Sequence, residues 1–209
     1  MKRLVVIVLV LCFVCLFLAG CAPQATEEEI QAVDEATAVM ADSRFDVGTM
    51  TDVPISLLGI SEDAIQKSAL YSMYTKSTED VIGADAEYTM EPTQDKEIKV
   101  QVEEGKVSNV WITASGPATV NSSTSLRVSA EDFWNNIWEI NNQYTLGNIE
   151  VDEEDATAES LLEALTSDND HFCTIVWTDN EDSEFFIMAF YRYWTSTDSF
   201  NTSYVFSVV

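Results

Sequence analysis

Residues 98–113 read IKVQVEEGKVSNVWIT. Ile98, Val100 and Val102 alternate with Lys99, Gln101 and Glu103, the two-residue period of a strand with one buried and one wetted face. Glu104-Gly105 supplies a tight turn, and Val107 to Thr113 carries the chain back. Residues 86–113 as a whole therefore read as antiparallel strands. Gly116-Pro117 is expected to break the sheet, and polar Asn121 to Ser125 reads as loop.

Upstream, Thr26 followed by Glu29 is a capping-box pattern. Ile30, Val33, Thr37 and Met40 recur at helical spacing and predict a helix from about Glu27 to Asp42. A loop is expected through Gly48 and Pro54. Ser61-Glu62-Asp63 marks a second helix reaching about Tyr74, although Ala69 to Thr75 also reads as strand.

Downstream the order recurs. Ser129 to Asp132 offers a cap with acids in the first turn. Phe133, Ile137, Ile140 and Tyr144 form a helical stripe, and Ala158, Leu161, Leu162 and Leu165 form a shorter one. Three strand candidates close the chain: Phe172 to Thr178, Glu184 to Thr195 and Ser203 to Val209. On the middle one, Phe186, Met188, Phe190 and Trp194 fall on one side and Phe185, Ile187, Tyr191 and Tyr193 on the other. Apolar residues on both sides predict a strand covered by other layers on both faces. Grouped strands with segregated helices give an α+β fold with antiparallel sheet, not a doubly wound one. Residues 26–116 and 129–209 both read helix, helix, three strands, so the single domain at 29–209 has the layout of two similar halves, with no residue-level identity between them.

The chain carries 10 basic and 36 acidic residues, a formal charge of −26. Nucleic acid binding needs a basic footprint and is disfavoured, as is lying flat on anionic lipid. Local acid runs occur at Glu27-Glu28-Glu29, at Asp152-Glu153-Glu154-Asp155 and at Asp179 to Glu184. They suit a self-repelling soluble surface, with divalent-cation binding, a cationic partner or a saline habitat as the sharper alternatives.

The N-terminus has a different character. Met1-Lys2-Arg3 is a basic head, and Leu4 to Ala19 is an unbroken apolar run, the parts of an export signal. Leu18-Ala19-Gly20-Cys21 resembles the lipobox of bacterial lipoproteins, matching at all four positions. The resemblance covers residues 1–21. It implies diacylglycerol on Cys21, cleavage between Gly20 and Cys21, N-acylation of the new terminus, and a tether at 21–28. A single buried chain holds only marginally, so two or three acyl chains are needed for stable anchoring. The mature part would keep 8 basic against all 36 acidic residues, a formal charge of −28. The implied location is the cell membrane or outer membrane, facing the periplasm or exterior.

Cys12 and Cys15 would leave with the signal, so Cys173 alone would remain as a thiol without a disulfide partner. Cys173 lies in an apolar run and reads as a buried small residue. His171 is the single histidine and reads as a surface or half-buried residue.

No nucleophile elbow, His-Glu-x-x-His helix, phosphate-binding glycine loop or mature Cys-x-x-Cys occurs. With so many acids, no carboxylate pair stands out for glycan hydrolysis. Asp168-Asn169-Asp170 alternates oxygen ligands without the glycine and closing glutamate of a calcium loop, so only a weak calcium site is in view there. No other cofactor is implied. The aromatics are the remaining candidates. Trp134 and Trp138, four apart on a helix, and Trp194 are candidates for stacking a ligand, weighed against core packing.

These readings converge on a membrane-anchored extracytoplasmic lipoprotein acting as a non-enzymatic binding or interaction module. Its partners are the membrane, through lipid, and a protein or small-molecule ligand. Two alternatives stay open: a carboxylate-dependent envelope hydrolase acting on glycan, and a purely structural envelope component.

Overall fold

The computed structural model describes residues 24–117, 123–143, 148–151, 171–178, 184–194, 196–197 and 199–209. The chain enters through helix α1 (Glu27–Ala41). Its capping box forms as the sequence suggests: Thr26 Oγ1 accepts from Glu29 N–H at 3.1 Å, and Glu29 Oε2 accepts from Thr26 N–H at 2.9 Å. Three acids in the first turn add to this by facing the positive end of the helix dipole. Val33, Ala36, Thr37 and Met40 are buried along one stripe.

Short helices α2 (Asp52–Ile55) and α3 (Glu62–Lys67) follow, then a 3-10 turn at Tyr71–Met73. The expected loop through Pro54 thus contains a helical turn, and the second helix stops well short of Tyr74. Ser68 explains the stop. Its hydroxyl donates to Asp34 Oδ1 at 2.5 Å and accepts from Leu70 N–H at 3.0 Å, a side-chain turn that competes with continued helix.

Among the described residues the sheet has eight strands: β1 (Thr75–Lys76), β2 (Ala86–Thr93), β3 (Lys96–Glu103), β4 (Lys106–Pro117), β5 (Asn148–Val151), β6 (His171–Thr178), β7 (Phe185–Trp194) and β8 (Ser199–Val208). Helix α4 (Ser123–Gln143) lies between β4 and β5. The fold is α+β with an antiparallel sheet, in the order β1-β2-β3-β4-β8-β7-β6-β5. Strands before α4 form one block, strands after it form the other, and the blocks join where β4 pairs with β8.

Two expectations around this seam are corrected. Gly116-Pro117 does not break the sheet, because Gly116 pairs with Phe200 and Pro117 with Ser199. Pro117 is the final residue of β4, so its missing N–H removes a donor only at the end of the ladder. Gly116 fits under the Phe200 ring, where an added Cβ would come within 3.3 Å. The helix expected from Ser129 begins at Ser123, inside the stretch read as loop, since neither glycine nor proline interrupts residues 118–146.

The core lies on one face of the sheet. Tyr88, Val100, Val110, Phe206, Ile187 and Tyr191 are buried there against Met40 of α1, Ile65 of α3, and Phe133, Ile137 and Ile140 of α4. This corrects the two-sided reading of β7. Ile187, Ala189, Tyr191 and Tyr193 are buried, whereas Phe186, Met188 and Phe190 on the other face are only half-buried. There Phe190 stacks in parallel with Trp111, ring centroids 6.4 Å apart, across the intervening β8. No helix among the described residues is long and apolar enough to cross a membrane.

Candidate functional site

A cleft of about 620 Å³ opens on the helical side of the β4–β8 seam, within the usual size range of small-ligand sites. Its floor is two register pairs of that seam, Ile112 with Tyr204 and Ala114 with Thr202. One wall is the loop after α1, carrying Phe45 and Asp46. A second is the β2–β3 turn and the start of β3, with Asp95 and Lys96. The third is the α4 surface at Asp132 and Asn136.

Local chemistry holds these walls in place. Asp42, at the C-terminal end of α1, accepts from Arg44 through Nε at 2.9 Å, Nη2 at 2.7 Å and the backbone N–H at 2.8 Å. The guanidinium keeps this carboxyl well below the usual carboxylate range. Asp46 Oδ1 accepts from Gly48 N–H at 2.8 Å and Thr49 N–H at 3.3 Å, an Asx turn that bends the loop back. Gly48 then touches α4 so closely that an added Cβ would sit 2.8 Å from Asn136 Cα. Gln143 Nε2 donates to Gly48 O at 2.7 Å, and Asn136 Nδ2 donates to the Tyr204 hydroxyl at 3.2 Å. Loop, helix and sheet are thereby tied in series.

The site has an uneven electrostatic character. Asp42, Asp46, Asp95 and Asp132 line it against one lysine. Asp95 accepts from Thr93 Oγ1 at 2.6 Å, which lowers its pKa. Lys96 is half-buried, its Nζ 4.3 Å above the centre of the Phe45 ring. Burial lowers the lysine pKa, opposed by the fields of Asp95, Asp42 and Asp46. Among the described residues no carboxylate forms an ion pair with it. Tyr204 is almost fully buried, and desolvation pushes its phenol upward, so the hydroxyl keeps its hydrogen. That oxygen already accepts from Asn136, which leaves the hydrogen to be donated.

The sequence candidates lie elsewhere. Trp134 and Trp138 meet edge to face, centroids 6.5 Å apart. Trp134 is half-buried against the core, and Trp138 is 52% exposed. Trp194, at the end of β7, packs under the Arg192 guanidinium, 4.8 Å from its ring centre. None of the three lines the cleft. Gly20, Cys21, Asp168 and Asp170 lie outside the described residues, as do the side chains of His171 and Cys173. Among the described residues, no three His, Cys, Asp or Glu side chains group to hold a metal ion.

Phe45, Asp46, Lys96 and Tyr204 were missed because they come from segments up to 159 positions apart (Phe45 to Tyr204). The one local hint was Lys96 itself, a rare base between acidic neighbours Asp95 and Glu97. No family model, curated protein or solved structure matches the chain.

Proposed function

We propose that this chain is a lipid-anchored, extracytoplasmic binding module of a bacterial envelope, with the seam cleft as its small-solute site. The observation that carries the reading is the cleft itself, in which three separate segments and the sheet floor converge on one concave surface with aromatic, amide, hydroxyl and charged groups. The lipobox-like Leu18-Ala19-Gly20-Cys21 supports the address and the anchor on Cys21. Membrane attachment through lipid also suits a domain whose charge repels it from anionic headgroups. The mirrored strand order on either side of the β4–β8 seam supports two similar halves, with the site at their junction.

The hydrolase alternative has one feature in its favour, several carboxylates in one cleft. Its general acid would need a raised pKa, whereas Asp42 and Asp95 are shifted the other way.

The address is tested by intact mass of the protein extracted from membranes. A chain beginning at Cys21 and carrying acyl mass is expected, and Cys21→Ala should leave the membrane fraction or stay unprocessed. A different first residue, or an unmodified Cys21 thiol in soluble material, would overturn it.

A further inference from the structure

Resting on that assignment of the cleft, we infer that its ligand is a small organic ammonium compound carrying an oxygen acceptor, and that Lys96 occupies the ammonium position in the ligand-free protein. The position is defined by what surrounds the Lys96 head. Its ammonium lies 4.3 Å from the Phe45 ring centroid, the geometry of a cation held by the negative face of an aromatic ring. Asp42, Asp46 and Asp95 act on it through their fields, while none makes an ion pair with it. Arg44 neutralises Asp42, and Asp46 and Asp95 line the cleft beside Lys96.

A cation stabilised by a ring and distant charges, without a tight partner, is replaceable by another cation. The lysine stem is long and flexible enough to withdraw. Phe45 would then receive the incoming ammonium, and Val47, Pro92 and Ile112 would contact its carbon atoms. At the floor, Tyr204 is almost fully buried and its hydroxyl accepts from Asn136. The Tyr204 hydroxyl can also donate, which suits a ligand with an acceptor such as a hydroxyl or carbonyl oxygen. The net negative lining disfavours a free anion.

The test is calorimetric titration of the full chain with choline, ethanolamine and glucose at low salt. Choline and ethanolamine are expected to bind, and glucose is not. Lys96→Met should tighten choline binding several-fold by removing the internal competitor, a gain that misfolding does not produce. Lys99→Met makes the same charge change on the opposite face, and should leave affinity unaltered. Phe45→Leu should weaken choline about tenfold. The inference is overturned if Lys96→Met binds choline no more tightly than the parent, if Lys99→Met tightens it equally, or if neither ammonium compound gives heat. Glucose binding abolished by Phe45→Leu, with no ammonium binding, would overturn the ligand class and leave the binding-module reading standing.

Discussion

Thr37 of α1 and Tyr74, just before β1, share one hydrogen bond of 2.9 Å between their hydroxyls, and both residues are buried. The bond joins the first helix to the segment that enters the sheet. Tyr74→Phe removes one partner and strands the other, which costs about 1–2 kcal/mol. Thr37 can turn back to a carbonyl of its own helix, so the loss is expected at the lower end. Adding Thr37→Val should recover part of it, and urea unfolding of the two single variants and the double variant measures the coupling.

Gly48 is expected to be intolerant of a side chain. Ala at this position would place Cβ 2.8 Å from Asn136 Cα and force the loop off α4. A loss of about 1–3 kcal/mol is expected. Thermal melts of the variant and the parent read it; an unshifted midpoint would mean that the loop does not dock on α4 as described.

Glu62 makes folding pH-dependent. Burial raises its pKa, but hydrogen bonds from Lys76, Tyr88 and Gln66 more than offset this, and its folded-state value is lowered. A lowered carboxylate contributes stability that is present above its unfolded pKa and lost as pH falls through the folded one. The stability gap between the parent and Glu62→Gln should therefore be widest near neutral pH and close on acidification. Denaturant midpoints taken down through the carboxylate range follow this directly, and a gap independent of pH would contradict it.

The β3–β4 turn is suboptimal at one position. Glu104 and Gly105 both have positive φ, 51° and 74°, as a two-residue hairpin turn requires. Glycine accepts this conformation freely and glutamate does not. Glu104→Asn is expected to stabilise by roughly 0.5 kcal/mol, and Gly105→Ala to destabilise by about 1 kcal/mol. Opposite shifts in melting temperature for these adjacent substitutions would verify the turn.

Much of the architecture was readable where physics is local. The alternation at Ile98, Val100 and Val102 became β3 with those residues buried and their neighbours half-exposed. Thr26 and Glu29 formed the capping box their spacing announced. Errors arose where a distant partner decided the outcome. Pro117 stays in strand through its register with Ser199, and β5 is a strand through pairing with β6. The tryptophans stood out by residue type, yet the cleft belongs to Phe45, Lys96 and Tyr204, residues unremarkable one at a time.

The amino-acid order by itself determined the periods, caps and turns, the charge of −26, and the lipobox-like tetrapeptide at Leu18 to Cys21, because each depends on neighbours a few bonds away. The tertiary structure alone decided which strand meets which, which face of β7 is covered, and where the cleft lies. Those outcomes depend on contacts such as Ile112 with Tyr204, 92 positions apart (112 to 204). Such contacts form when apolar faces from both halves leave water together, a cooperative effect that no short window of residues encodes.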